Sequence, residues 1–146
     1  AGRATLPGEV LIQTQFPEHP LYASLVRHDY PAFANSQLEE REQAGFPPYT
    51  YQAMLRAEAP SMANSLAFLA AAKAWPQATK HTEVMLYNPV PMRLARRANF
   101  ERAQLLIESP SRRALQLFLA ACGEWLDAIK TPSKLRWHLE VDPLEF

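Results

Sequence analysis

The sequence predicts an α+β fold: a split βαβ domain, with two helices on one face of a four-stranded antiparallel sheet, preceded by one strand and two helices. Three observations carry this. Leu135, Trp137, Leu139 and Val141 alternate with Arg136, His138, Glu140 and Asp142, which is the period of a strand with one wet face. Leu115, Leu119, Cys122, Leu126 and Ile129 recur at three- and four-residue steps, the stripe of a half-buried helix. From Tyr51 onward the elements read strand, helix, strand, strand, helix, strand. A sheet covered by helices on one side buries every one of these apolar stripes.

The elements follow in order. Gly8 to Thr14 (GEVLIQT) is an apolar run between Pro7-Gly8 and Phe16-Pro17 and reads as a strand. Glu18 to His28 places Leu21, Leu25 and Val26 at helical spacing. Asp29 is a capping residue for a second helix, with Pro31 tolerated in its first turn and Gly45 available as a left-handed stop. Glu39-Glu40-Arg41-Glu42 is its solvated face. Phe46-Pro47-Pro48 forces extended chain, so a boundary falls there, dividing residues 1–45 from 46–146. In the second part, Tyr51 to Glu58 alternates as a strand, and Pro60-Ser61 opens a helix through Met62, Leu66, Leu69 and Lys73 that ends before Pro76. Thr82 to Tyr87 and Arg102 to Glu108 read as strands, and Pro110-Ser111 opens the last helix.

Hydrophobic residues make up 48% of the 146, enough for a buried core, and the fifteen basic and fifteen acidic side chains cancel. Global charge therefore makes no case for nucleic acid; only local clustering does. One cysteine, Cys122, excludes an internal disulfide and a cysteine-built zinc site, and it falls in the apolar stripe as a core residue. His19, His28, His81 and His138 never stand at ligand spacing on one element. No apolar run reaches the roughly 18 residues of a membrane span, and the expected location is cytoplasmic. The opening Ala1-Gly2-Arg3, without a methionine or a basic-then-apolar leader, reads as a piece of something larger. No serine–histidine–carboxylate order or paired-carboxylate pattern marks an enzyme, so a small split-βαβ enzyme is disfavoured.

Gly8 to Thr14 followed by Pro17-Glu18-His19-Pro20, Phe33 with Leu38, Glu40 and Arg41, Gly45-Phe46-Pro47-Pro48, and the terminal Val141-Asp142-Pro143-Leu144 occur in the order of a known family. They resemble the C-terminal region of the bacterial replication-restart helicases of the PriA family (primosomal protein N′), and the resemblance covers essentially the whole chain. It implies that residues 1–45 close the second helicase lobe and that residues 46–146 form a ferredoxin-like domain similar to ribosomal protein S10. The parent would be an ATP-dependent 3′–5′ DNA helicase that recognises stalled forks and starts primosome assembly with other primosome proteins. Its ATP, magnesium and zinc sites would lie upstream of Ala1, so the resemblance implies no cofactor and no catalysis in this piece. Two positions depart from the family pattern: Asn88 replaces a glycine before Pro89-Val90-Pro91, and Glu101 stands where an aromatic usually precedes Arg102-Ala103-Gln104, with Phe100 displaced by one.

Candidate sites follow. Arg93, Arg96, Arg97 and Arg102 lie within ten residues, opposed only by Glu101, beside Phe100. Arginines on a loop with an aromatic suit phosphate contact and base stacking; the alternative is a solvated loop. With the resemblance they become the expected contact for forked or single-stranded DNA. Ser111 caps a helix whose next residues, Arg112 and Arg113, are cations that a helix dipole disfavours by roughly 0.3–1 kcal/mol each when exposed. Such a start suits a carboxylate or other anion, and Gln116 lies one turn beyond Arg112; the alternative is that the arginines face water or pair with Asp142 or Glu108. The resemblance implies that Arg112 and Gln116 bind the acidic C-terminal tail of single-stranded DNA-binding protein, with the helicase lobes as the other wall. Arg3 resembles a motif VI arginine, catalytic only in the intact helicase. A domain that only braces the helicase lobes is the remaining alternative.

Overall fold

Short-range capping organises the first part of the chain and long-range pairing the second. The computed structural model describes residues 7–144, which divide into two compact units between Ala44 and Gly45. In the first unit, α1 (Pro20–Val26) begins where His19 Nδ1 accepts from the Leu21 N–H at 3.2 Å. Helix α2 (Tyr30–Ala44) begins where Asp29 Oδ1 accepts from the Ala32 N–H at 3.0 Å, and it stops at Gly45, whose φ of 64° costs glycine nothing. The expected strand at Gly8 to Thr14 does not form. No partner strand lies beside it among the described residues, and Val10, Leu11 and Ile12 are 68, 87 and 49% exposed. A strand exists only as one rail of a ladder, so apolar content alone did not make one.

In the second unit the sheet comprises β1 (Tyr51–Ala59), β2 (Met85–Leu86), β3 (Val90–Arg97), β4 (Phe100–Ser109) and β5 (Arg136–Val141). The spatial order is β2-β4-β1-β5, with β3 also pairing to β4, and every pairing is antiparallel. Since β1 and β2 both run against β4, they are parallel to each other, and α3 (Met62–Lys73) connects them. Likewise β4 and β5 both run against β1 and are joined by α4 (Arg112–Ala128). This is the split βαβ arrangement, with five strands in place of the expected four. The additional strand is β3, in the segment read from sequence as an arginine-rich loop. The expected strand over Thr82 to Tyr87 shrinks to Met85–Leu86, because the Val84 N–H is drawn into a turn with the His81 carbonyl at 2.9 Å.

The core lies between one face of the sheet and the two helices. Ala53, Leu55, Ala57 and Ala59 of β1 and Ala103, Leu105 and Ile107 of β4 are at most 2% exposed. The small residues on β1 let the helices approach closely. Leu115, Phe118, Leu119, Cys122 and Leu126 of α4 close the core from above, with Phe68 and Leu69 of α3 beside them. Trp75 packs on Phe118 at 5.9 Å and on Trp125 at 5.8 Å between ring centres. Burying a side chain the size of Phe118 contributes about 2–3 kcal/mol. Ser65 Oγ donates to the Glu101 carbonyl at 2.8 Å and ties α3 to β4.

Candidate nucleic-acid interface

The sheet's other face carries most of the strands' charged residues, with Met54 and Leu106 paired among them, and the antiparallel register brings distant charges into rows. Arg56 on β1 stands between Gln104 on β4 and His138 on β5, and Glu58 stands between Arg102 and Arg136. Arg56 Nη1 is 2.9 Å from Glu140 Oε2, Arg136 Nη1 is 3.8 Å from Glu58 Oε1, and the Arg136 guanidinium lies 5.2 Å from the centre of the Phe100 ring. Toward the far end of this face, Gln52 Nε2 donates to Glu108 at 2.8 Å and the Tyr87 hydroxyl donates to it at 3.3 Å. Burial, with the Glu108 charge and hydrogen bond added, pushes the Tyr87 phenol above its ordinary pKa.

Strands β3 and β4 form a hairpin whose two turn residues, Ala98 and Asn99, have φ of 49° and 64°, the signs required by a tight primed turn. The pairing is regular at Arg97 with Phe100 and Arg96 with Glu101, and again at Val90 with Gln104, but shifts register between Pro91 and Arg96. The bulged segment leaves a concavity of about 770 Å³ lined by Arg56, Met92, Arg93, Leu94, Arg97, Arg102 and Gln104. Four guanidinium groups line it and no carboxylate does. Gln104 is 7% exposed, and its Oε1 has no hydrogen-bond partner. A buried acceptor left this way costs about 1–3 kcal/mol.

Of the arginines singled out in the sequence, Arg93, Arg97 and Arg102 therefore line one concavity. Arg96 does not; its Nε is 3.8 Å from Glu101 Oε1. Phe100 lies outside the lining, with Arg136 over its ring. Sequence reasoning missed Arg56 and Gln104. The alternation of β1 put Arg56 on the polar side, but only the register joins it to the arginine hairpin.

At the start of α4, Ser111 Oγ accepts from the Ala114 N–H at 3.2 Å, and the Ser111 N–H donates to Ser109 Oγ at 3.1 Å. Arg112 and Gln116 are exposed, one turn apart. The concavity beside this helix start, about 350 Å³, is lined by Ser111, Arg113, Ala114 and Leu117 together with Lys80, His81, Thr82 and Glu83, so Arg113 reaches it and Arg112 and Gln116 do not. Glu108, weighed as a partner for these arginines, is bonded to Gln52 and Tyr87. Arg3 lies outside the described residues. Among the described residues no three histidine, cysteine, aspartate or glutamate side chains gather as a metal site, and no helix is long and apolar enough to cross a membrane.

The family model described as "Primosomal protein N C-terminal domain" matches residues 42–144. The chain belongs to that family. Replication restart protein PriA of Haemophilus influenzae is 36% identical over 144 residues, covering 98% of this chain and 19% of the relative. The protein of the same name in Synechocystis is 31% identical over 146 residues, covering 99% and 17%; that of Treponema pallidum is 28% identical over 146, covering 99% and 22%. This primosomal protein N C-terminal domain and the residues before it thus span about a fifth of the length of these relatives.

Proposed function

We propose that this chain is the C-terminal part of an ATP-dependent 3′–5′ DNA helicase that restarts stalled replication, and that its own task is binding: forked or single-stranded DNA on the arginine-lined sheet face, and the acidic tail of single-stranded DNA-binding protein at the start of α4. ATP, magnesium and zinc would be held by other parts of the parent, which also supplies the contacts to primosome proteins. The carrying observation is the concavity whose lining holds Arg93, Arg97 and Arg102, together with the Glu140-paired Arg56, and no acid, in a chain whose formal net charge is zero. Such segregation attracts a polyanion, because each phosphate contact releases a counterion.

Titrating the chain with forked and single-stranded DNA over a range of salt tests the first part. Affinity should fall as salt rises, with a logarithmic slope of about 0.7 per phosphate on a single strand, and Arg93→Ala or Arg97→Ala should lower that slope. Binding independent of salt would sink it. For the second part, Arg112→Ala should weaken an acidic tail peptide's binding to the full-length helicase; an unchanged Kd removes Arg112 from the site. A second reading, a domain that only braces the helicase lobes, draws on the apolar side chains that the first unit leaves exposed. It expects neither DNA nor peptide to bind.

A further inference from the structure

We propose that the concavity between β3 and β4 is a pocket for a single unstacked nucleotide of a DNA strand, with Gln104 as the group that reads its base. This rests on the DNA-binding reading and specifies what that face holds. Arginines 93, 97 and 102 supply positive charge on the lining and call for an anion. Gln104 calls for something else. Its buried Oε1 lacks a partner, and a carbonyl oxygen repels a phosphate, so the ligand must also present an N–H donor. Met92 and Leu94 add apolar wall. A flat ring bearing N–H groups on a phosphate chain meets all three demands, and an amide side chain is suited to the edge of a base. The volume of about 770 Å³ falls in the range of small-molecule clefts, far too small for a duplex, so the base enters from a single strand.

The test uses the whole chain and a labelled oligothymidine of about ten nucleotides, beside the same strand made from N3-methylthymidine, which lacks the ring N–H, and an abasic strand. The wild-type chain should bind oligothymidine about tenfold more tightly than either control. Gln104→Met, similar in size and without the carbonyl, should bind all three strands alike, at the wild-type affinity for the abasic one. It should also melt about 4 °C higher, because an unpaired buried acceptor has gone. Equal binding of the three strands by the wild-type chain overturns the base-reading pocket while leaving DNA binding intact. No strand binding at low salt removes the underlying reading and the pocket with it. Melting of Gln104→Met several degrees below wild type would show that the fold already uses the carbonyl, and overturns the proposal. Free thymidine monophosphate should not displace the strand at comparable concentration, and an oligo-aspartate peptide should not match the strand's affinity; either result to the contrary assigns the concavity to a different ligand.

Discussion

Val10-Leu11-Ile12 and Leu105-Leu106-Ile107 are near-identical apolar triplets with opposite fates. The first is half to nearly fully exposed and belongs to no strand; the second lies in the central strand β4 with Leu105 and Ile107 at 0% exposure. The difference is the partner. Leu105 faces Leu55 across the β1–β4 ladder, while the first triplet has nothing to pair with among the described residues. The same contrast runs through the two units. Among the described residues up to Ala44 only Ser24 is buried, and the helices are held by local caps; beyond it the core residues come from elements far apart in sequence. Apolar residues record a need for burial, and topology decides whether the need is met.

Three measurements test this contrast. The largest effect should come from Phe118→Ala, which empties the centre of the core and should lower the unfolding free energy of the second unit by about 3–5 kcal/mol. Leu11→Ala should change it by less than about 0.5 kcal/mol in the same urea titration. Comparable losses from the two would erase the distinction. Next, the two caps should diverge although their chemistry is alike. Ser111→Ala should cost the second unit about 1 kcal/mol, whereas Asp29→Ala should reduce helical circular dichroism and leave that unit's urea midpoint in place. The smallest effect is a pH dependence. Burial pushes the Cys122 thiol from 9.0 up to about 11. Its neutral form is therefore favoured in the folded state, with that stability complete below pH 9 and lost as pH rises through 11. The chain should be about 1 kcal/mol less stable at pH 10 for this reason, and Cys122→Ala should lack that part of the slope.

The fold was legible where one residue's neighbours in sequence are also its determinants. The α4 stripe, the β5 alternation, the Asp29 cap and the Gly45 stop all follow from spacing of four residues or fewer. The candidate site was legible only in part, because its lining is assembled across strands. Arg93, Arg97 and Arg102 were found by proximity in sequence, but Arg56 reaches them only through the β1–β4 register, and Gln104 gave no sign of its unpaired oxygen. Strand β3 was hidden because four arginines and two prolines between Pro89 and Arg102 read as loop. Its pairing depends on β4, which lends it a rail at both ends and skips the middle.

That skipped middle has a consequence for how the molecule behaves in company. Strand β3 borders the sheet, and a bordering strand with straight, unpaired amides invites a strand from another molecule to add on. Here Pro91 withholds a donor, the register shift bends the edge, and Arg93, Arg96 and Arg97 repel an identical edge approaching from a neighbouring copy. Replacing these arginines with threonine or valine would remove that repulsion. It would neutralise the border, leaving only Pro91 and the bend to guard it, and at high concentration the protein should be lost to fibrous self-association before any change in its own unfolding is seen.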